Sequence, residues 1–488
     1  MTKLTGFIAY NYNLFQRFLF SFSLFGISAY CIYMAFISDG VMEPGDGITH
    51  YNITRFAPQY PRLYLDHWGK PLYTLLSSPL AQIGFEGLII FNVLLFCITS
   101  IIIYTWAEKQ ENHFAWLTPW LLCVSAVYFD MMNAGMTEIL FATIITATIY
   151  LFFREKYVWG ALLFSFSIFS RPEGNLVMPI FLVFLLWKKQ WKIIPFLSVG
   201  FILYSVIGYF HYDDILWVIN QNPYPAKVSY YGHGGIFDFL NAYRVIWGDF
   251  LAVSTALGTV ILIVSLFIKE QKKTVDSVIL ILVPAIVVFS VHSYIWWKGI
   301  HASAGLTRVM ATVVPLFVML ALIFFDRIQK IIFANIPSHI DLRPSLLVVG
   351  LTITWFFLIN ESRLAHLPVL ESPNQVILSE AAAWYKLQNS PHRICFTDPY
   401  FGMKAGLNPF DESKVLNHYS INKENPAKSL ESGGYILWDS HLGASDDQIP
   451  RELILENPDL EIMKHLRPAD TTFAIGNKRY EVILAKIK

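Results

Sequence analysis

The chain has 488 residues, of which 55% are hydrophobic and only 15% are charged. An average soluble domain carries about 25% charged residues, so this composition excludes an ordinary soluble protein and indicates a membrane protein. The 36 basic and 36 acidic residues cancel, which gives no electrostatic argument for a nucleic-acid partner.

Apolar runs along the chain predict about eleven transmembrane helices, because a helix needs about 20 apolar residues to cross a bilayer. The predicted spans are 15–37, 86–106, 114–129, 135–153, 157–170, 174–187, 192–210, 248–268, 275–296, 305–325 and 344–360. The short runs at 157–170 and 174–187 can be two tight spans or one re-entrant pair. The predicted fold class is therefore an α-helical polytopic membrane protein.

Basic residues predict the orientation. If the N-terminus is cytoplasmic, the alternate short loops carry the basic residues, as in Arg154 and Lys156 or Lys272 and Lys273. Such loops face the cytoplasm in most membrane proteins. The opposite loops are longer and rich in Asp, Glu, His and aromatic residues. We expect these loops and the C-terminal segment to be extracytoplasmic.

The loop after the first span contains the strongest polar motif. Asp46 and His50 are four residues apart and would share a helical face, and His67 and Lys70 follow in the same loop. A carboxylate here can act as a general base or hold a divalent cation, and His67 and Lys70 can bind a phosphate. The alternatives are a solvated carboxylate that begins a surface helix, and an amphipathic interfacial helix that begins at Pro71.

Two predicted outer turns carry further acidic and basic residues. Asp130 and Glu138 flank the turn before the fourth span, where an ionisable group usually faces a polar cavity. Glu138 can instead be stabilised by the N-terminus of its own helix. Arg171 is a natural phosphate partner. Alternatively, Ser170 and Glu173 form a capping box that begins the next helix.

A third cluster lies between the last two long spans. Lys298 and His301 follow a pair of tryptophans, and Arg308 enters the next span. A buried Arg308 requires an anion, such as a lipid phosphate or one of the carboxylates above. The alternative is an arginine that extends its charged end to the membrane surface.

The composition changes near residue 366, which predicts a small α/β domain over 366–488. Ser372, Pro373 and Gln375 predict a helix to about Gln388, with Ser372 and Gln375 as a capping box. Predicted strands follow at 393–397, 435–438 and 461–465. A last pair, 473–475 and 480–487, flanks Gly476-Asn477 and predicts a hairpin.

Several of these motifs together resemble the GT-C superfamily of integral-membrane glycosyltransferases. The nearest branch is the bacterial relatives of protein mannosyltransferases and of the aminoarabinose transferase. The resemblance covers residues 10–330, and the Asp-Glu pair usual after the first span is here Gly45-Asp46-Gly47. The motifs that carry it are Gly45-Asp46-Gly47, His50-Tyr51, His67 with Pro71-Leu72-Tyr73, Thr137-Glu138 and Arg171-Pro172-Glu173-Gly174.

The resemblance implies a transmembrane glycosyltransferase domain over 1–365, and inverting transfer of a sugar from a polyprenyl-phosphate-linked donor on the outer face. It implies an integral protein of a bacterial inner or plasma membrane, in contact with membrane lipids and without nucleic acid. The acceptor can be a lipid, a glycan or a protein. The sequence identifies no cofactor with certainty, and a divalent cation, held by Asp46, stays open.

The candidate residues then fall into three groups. The catalytic candidates are Asp46, His50 and Glu138, with Asp46 as the base or the group that orients the acceptor. The donor phosphate candidates are Arg171, Arg308, Lys70 and His67. The further candidates are Asp130, Glu173, Lys298 and His301.

Two other functions remain open from the sequence. A lipid-linked polysaccharide polymerase or ligase would have a similar composition and would use a large outer loop such as 211–247, which contains His211, His233 and Arg244. A secondary transporter would be expected to have inverted repeats and polar residues near the membrane midplane. The chain has no internal repeat and its polar residues crowd one face, so the transporter is the weaker alternative.

Overall fold

The computed structural model describes residues 2–223, 229, 231–268, 271–334, 343–355, 361, 363–470, 472–475 and 478–488. The chain forms two compact units, which we call the helical unit and the α/β unit. The helical unit comprises Met1–Phe36, Tyr64–Leu80 and Glu86–Leu367. The α/β unit comprises Ile37–Leu63, Ala81–Phe85 and Pro368–Lys488. The loop that contains Asp46 therefore belongs to the same unit as the C-terminal segment.

Six helices in the described part of the chain are long and apolar enough to cross a membrane. They are Leu14–Ile37, Phe85–Glu108, Trp191–Tyr212, Gly248–Ser265, Lys272–Lys298 and Thr307–Ala334. A seventh span is possible if Ala115–Val124 and Ala126–Asn133, which meet at 79°, cross as one bent pair. The chain is thus a multi-pass membrane protein of the predicted helical class. The predicted count of eleven is not confirmed, and the predicted span 344–360 lies partly outside the described residues.

Three of the predicted spans form shorter apolar helices of only 10–17 residues. These are Glu138–Phe153, Tyr157–Phe169 and Gly174–Trp187. Further short helices connect these elements. They are Pro61–Leu65, Pro71–Ala81, Trp217–Asn220, Asp238–Asn241, Tyr243–Ile246, Arg343–Ile353 and Arg363–His366.

Buried polar side chains explain the break in the bent pair and the turn that follows it. Ser125 has an extended backbone, its hydroxyl accepts a hydrogen bond from Tyr128 N, and it donates to Ile246 O at 2.6 Å. These bonds cap the second helix of the pair. Asn92 then donates to both Met131 O and Met136 O, which holds the turn before Glu138–Phe153.

The α/β unit contains a five-stranded sheet. Its strands are β1 (Ile394–Phe396), β2 (Val415–Leu416), β3 (Tyr435–Asp439), β4 (Leu460–Leu466) and β7 (Val482–Ile487), with a separate hairpin of β5 (Ala474–Ile475) and β6 (Lys478–Arg479). The strand order is β2-β1-β3-β7-β4. Strand β1 is parallel to β2 and β3, whereas β7 is antiparallel to β3 and β4.

The core of the sheet is built from β3 and β7, which lie side by side in the middle of it. All five residues of β3 are buried, as expected for a strand that is covered on both faces. The helices of this unit are Asp46–Phe56, Pro373–Gln388, Pro399–Ala405, Leu442–Ser445 and Glu452–Leu455, with short turns of helix at His418–Ser420 and Pro426–Ser429.

One local prediction for the C-terminal segment was wrong, and a second was confirmed only in part. The helix begins after Ser372 as predicted, but Gln375 does not complete a capping box, because its amide pairs with Val41 N and Val41 O. The turn at 476–477 itself lies outside the described residues. The predicted hairpin is present as the short antiparallel pair β5 and β6, and Tyr480 N donates to Phe473 O beside it. Only its second strand is shorter than predicted, because β7 instead lies between β3 and β4, where its apolar residues are buried.

Candidate active site

A cluster of buried charged side chains lies in the helical unit, at the N-terminal ends of two of its helices. Arg171 Nη1 lies 2.7 Å from Glu138 Oε1, and Arg171 Nη2 lies 2.9 Å from Glu173 Oε1. Arg171 Nε also donates to Glu173 Oε1, and Thr137 Oγ1 accepts from Nη1 at 3.3 Å. His292 Nε2 lies 3.2 Å from the same Glu173 oxygen. The Arg171 guanidinium thus joins the starts of two helices, and Glu173 links them to a third helix through His292.

The two carboxylates of this cluster are almost completely buried. The side chains of Glu138 and Glu173 are 1% and 3% exposed, while Arg171 is 13% exposed. Within the described residues, Glu138 Oε2 and Glu173 Oε2 each have no hydrogen-bond partner. Buried carboxylate oxygens with unused acceptor capacity are typical of sites that bind a further polar group. The cluster can therefore accept hydrogen bonds from a ligand.

Arg171 stabilises the ionised form of Glu173. Burial alone would raise the pKa of Glu173, but the Arg171 charge and the His292 hydrogen bond outweigh it and hold the pKa well below its ordinary value. The alternative capping box does not form, because the Ser170 hydroxyl donates to Ser167 O and the Glu173 carboxylate faces Arg171. The Arg171-Pro172-Glu173 motif is therefore part of the charged cluster.

Lys70 belongs electrostatically to the same cluster. Its side chain is buried, and its ammonium donates to His67 O at 3.2 Å. Burial and then the Arg171 charge lower the pKa of Lys70 to about 7, although Glu173 and other carboxylates oppose the shift. Lys70 has a positive φ of 63° directly after the Asp66–Gly69 turn, a backbone conformation that is uncommon for a residue other than glycine. An incoming anion would favour the charged form of this lysine.

His67 is held by the helical unit itself. Its Nε2 lies 2.9 Å from Val218 O, and its ring packs edge-on against Trp217. Burial lowers the pKa of His67 below its ordinary value. The neutral imidazole is therefore the favoured form, and the only side-chain hydrogen bond recorded for it within the described residues is the bond to Val218.

The other candidates of the helical unit have different surroundings. Asp130 forms a two-pronged ion pair with Arg363, at 3.0 and 3.3 Å. Lys298 is exposed and lies 3.6 Å from the centre of the Trp297 ring. His301 is also exposed. Arg308 is half-buried in the turn Thr307–Val313, which packs against the helices that carry Asp130 and Glu138.

Asp46 and His50 lie in the α/β unit. Asp46 is the first residue of the helix Asp46–Phe56 and is half-buried, whereas His50 is buried one turn later. The helix packs against Pro399–Ala405 of the same unit. The prediction that Asp46 begins a helix and shares its face with His50 agrees with this geometry.

Sequence reasoning missed two partners of the charged residues. His292 lies inside a long apolar helix, and an ionisable residue in such a run is itself a signal of a polar site. Arg363 stands just beyond the last predicted span, and its pairing with Asp130 had no local signal. Among the described residues, no group of three His, Cys, Asp or Glu side chains is arranged to hold a metal ion.

Together the helices and the buried charges define a multi-pass membrane protein with a polar site at helix ends. Its fold is similar to that of a solved structure described as the crystal structure of ArnT from Cupriavidus metallidurans bound to undecaprenyl phosphate. The TM-score is 0.57, the alignment covers 94% of this chain and 97% of that chain, and the sequences are 11% identical. The GT-C-like fold predicted from the sequence motifs is thereby confirmed as a fold. No protein-family model and no curated protein sequence matches the chain.

Proposed function

We propose that the chain is a membrane glycosyltransferase that moves a sugar from a polyprenyl-phosphate-linked donor to an acceptor on the outer face of the membrane. The observation that carries the proposal is the likeness to ArnT, which extends over 94% of this chain and so includes both compact units. The solved ArnT structure contains undecaprenyl phosphate, a lipid of the chemical class that such a donor would release. The buried charged cluster supports the same chemistry.

In the proposed reaction an acceptor hydroxyl or amine attacks the anomeric carbon of the donor sugar. A new bond forms there, the bond between that carbon and the phosphate oxygen breaks, and the phosphate leaves with the electron pair. Attack from the opposite side inverts the configuration. The acceptor loses a proton in this step, and we assign its removal to Asp46. His50, one turn further along the same helix, is the second candidate for this part of the reaction.

Lys70 is our first candidate for the phosphate of the donor. Its ammonium is buried and its charged form is disfavoured in the ligand-free protein, so a phosphate would gain from restoring that charge. Stabilising the charge on a leaving phosphate lowers the barrier because the phosphate is more negative after the bond breaks. His67 positions Lys70 through its carbonyl oxygen and is the weaker phosphate candidate.

Arg171 and Arg308 remain candidates for additional phosphate contacts. The Arg171 guanidinium already donates to Glu138, Glu173 and Thr137, so a phosphate would have to share these donors. In the described part of the chain, one oxygen of Glu138 and one of Glu173 accept no hydrogen bond, and such oxygens suit sugar hydroxyls, which donate hydrogen bonds. We therefore assign Glu138 and Glu173 to the sugar of the donor and Lys70 to its phosphate.

The proposal is tested with the purified protein in liposomes that contain membrane lipid extract and one radiolabelled polyprenyl-phosphate sugar at a time. Transfer of label to a new product, lost in the Asp46→Asn variant, supports the function. A polymerase would instead lengthen an existing lipid-linked glycan by repeated units. A transporter would move the labelled lipid or sugar across the bilayer without forming a new glycosidic bond, and that result would overturn the proposal.

A further inference from the structure

We propose that the α/β unit contains a saccharide-binding groove, formed by residues 59–62 together with Phe410 and Glu412. We infer that it binds the glycan portion of the acceptor, at a distance from the hydroxyl that receives the sugar. That the bound glycan belongs to the acceptor rests on the proposed function, whereas binding of a saccharide in the groove does not. The inference narrows the open choice among lipid, glycan and protein acceptors to one that carries an oligosaccharide.

The groove has a volume of about 540 Å³ and is lined by Gln59, Tyr60, Pro61, Arg62, Phe410 and Glu412. Pockets that bind small organic ligands commonly have volumes of about 300–1,000 Å³. All six lining residues belong to the α/β unit. The groove is shallow and widely open to solvent, which suits a ligand longer than the groove itself.

Two aromatic rings, those of Tyr60 and Phe410, line the groove, and a third ring packs behind them. The rings of Tyr60 and Phe410 lie 6.1 Å apart at an angle of 50°, and Phe56 packs edge-on against Phe410 at 6.2 Å. All three side chains are only half-buried, so part of each ring remains accessible. A sugar ring has one face made of C–H groups, and such a face packs well against an aromatic ring. An accessible pair of tilted rings is therefore suited to a pyranose.

Planar polar groups surround these rings. Asn408 Nδ2 lies 3.4 Å from the Tyr60 hydroxyl and 3.5 Å from Gln59 Oε1, which places two amides beside one phenol. The charged ends of Arg62 and Glu412 form no hydrogen bond or ion pair with the described residues. Sugar hydroxyls both donate and accept, so they need a mixture of such donors and acceptors. The groove provides both beside an apolar surface.

Backbone hydrogen bonds fix both walls before any ligand binds. On one side, Gln59 N and Tyr60 N donate to Phe56 O at the end of the helix Asp46–Phe56. On the other side, Phe410 N donates to the Asn408 side chain, and Ser413 donates to Asp411. A site that is ordered in advance loses little conformational entropy on binding. This order argues for a binding surface and against a merely variable loop.

The groove lies just beyond the C-terminal end of the helix that begins at Asp46. Asp46 begins the helix and Phe56 ends it, so the two residues are about 15 Å apart along the axis at 1.5 Å per residue. Tyr60 continues from the far end. An oligosaccharide held here would extend several sugar units from the group that Asp46 deprotonates. Binding energy from such a remote part of a substrate can raise the rate of the chemical step.

The test uses the full-length protein in lipid nanodiscs and, as the probe, the glycans released by mild acid from membranes of the host cell. Retained glycan is hydrolysed and its monosaccharides are quantified. The test variants are Tyr60→Ala with Phe410→Ala, and Arg62→Ala with Glu412→Ala. The matched control is Tyr419→Ala, because Tyr419 is an exposed aromatic residue of the same unit outside the groove.

We expect the wild type and the Tyr419→Ala control to retain glycan well above empty nanodiscs. The aromatic double variant should retain about tenfold less, equivalent to about 1.4 kcal/mol of binding free energy. The exposed polar pair can be changed without loss of folding, so this pair decides the test if the aromatic variant unfolds. Equal retention by the polar variant and the wild type, or no retention by the wild type, overturns the inference.

The same experiment separates this inference from the proposed function. The Asp46→Asn variant should still retain glycan although it cannot transfer a sugar. If neither the wild type nor any variant transfers sugar but glycan retention still depends on the groove residues, the proposed function is wrong and the saccharide-binding groove is supported. If transfer requires Asp46 but not the groove residues, and no glycan is retained, the enzyme stands and the groove fails.

Discussion

Arg171 and Glu138 form a buried ion pair of 2.7 Å between residues that precede or begin two different apolar helices. Glu173 completes the pair on the other side of the guanidinium. Two carboxylates share one arginine, and the cluster therefore depends on that arginine for its charge balance. This dependence has a measurable consequence for stability.

Replacing Arg171 with alanine should strongly destabilise the helical unit. Removing one partner of a buried ion pair typically costs about 3–5 kcal/mol, because the remaining charge stays buried without compensation. We expect a clearly lower melting temperature for Arg171→Ala. The control is Arg244→Ala, whose ion pair with Asp249 is exposed, and this change should leave the melting temperature nearly unaltered. Equal melting temperatures for both variants would contradict the structural role of Arg171.

Donor binding distinguishes a structural Arg171 from one that also contacts phosphate. Arg171→Lys keeps the charge but loses the planar fork of donors. If Arg171 also binds the phosphate, affinity for undecaprenyl phosphate should fall about tenfold or more in Arg171→Lys, at a temperature where the variant is folded. Unchanged affinity would leave Lys70 and Arg308 as the phosphate ligands.

Asp46→Asn should abolish sugar transfer while the protein remains folded. The amide has nearly the same size as the carboxylate but cannot accept the proton of the acceptor. We expect at least a hundredfold lower turnover, within the usual range of about 10²–10⁴ for a lost general base. Glu43→Gln is the control, because it removes a carboxylate from the same loop. Normal turnover of Asp46→Asn would exclude this residue as the base.

The predicted orientation places the α/β unit outside the cell. A reporter fused after Lys488 and active only in an oxidising, extracytoplasmic compartment should therefore give a signal. A second fusion after Arg154, in a predicted cytoplasmic loop, should give none. The reverse pattern would show that the chain has the opposite orientation.

Local sequence patterns predicted some membrane helices well, because a long run of apolar residues is by itself enough to favour a helix in the bilayer. The helix Phe85–Glu108 extends over the predicted span 86–106, since its apolar residues alone require a non-aqueous surrounding. The predicted span 114–129 is broken into two helices instead of forming one. Ser125 is a small polar residue within an apolar run, and its hydroxyl caps a new helix by bonding Ile246 O, a contact that the local sequence does not contain.

The residues of the buried charged cluster carried local signals in the sequence, whereas their contacts did not. Glu138, Arg171 and Glu173 each stood out as ionisable residues beside apolar runs, which is a local signal. Their pairing depends on how three helices pack, and His292 enters the cluster only through that packing. Gln375 shows the same limit, because its partner Val41 lies hundreds of residues earlier in the chain.

The α/β unit should lose local stability as pH rises toward 8. Asp398 and Asp439 are buried near the carboxyl ends of the adjacent parallel strands β1 and β3. Burial and the neighbouring Asp439 raise the pKa of Asp398 to about 8. The folded state therefore binds more protons than the unfolded state between about pH 4 and pH 8, and stability falls with increasing pH by at most about 1.4 kcal/mol per unit.

Amide hydrogen exchange can measure this loss at β1 and β3 in the full-length protein. After correction for the intrinsic exchange rate, protection should be lower at pH 8 than at pH 6. Asp398→Asn should remove the difference, since the neutral amide has no charge to bury and can still accept a hydrogen bond from Tyr400 N. Asp459→Asn, an exposed position, should keep it. A wild-type protection that does not change with pH would exclude the raised pKa of Asp398 in the folded protein.

Binding of undecaprenyl phosphate should weaken as pH rises above 7, because of Lys70. In the ligand-free protein the pKa of Lys70 is about 7, so the ammonium is progressively lost above that pH. A bound phosphate raises this pKa again, and binding then takes up a proton. Above pH 7.5 a phosphate monoester is already a dianion, since its second pKa is about 6. Affinity should therefore fall by up to about tenfold per pH unit between pH 7.5 and pH 9.

The Lys70→Arg variant isolates this effect of the Lys70 charge on binding, because a guanidinium stays charged throughout the range. Its affinity should not change with pH, whereas an exposed control, Lys156→Arg, should keep the wild-type slope. The same slope in Lys70→Arg and in the wild type would mean that another group titrates, and Lys70 would then not be the phosphate ligand.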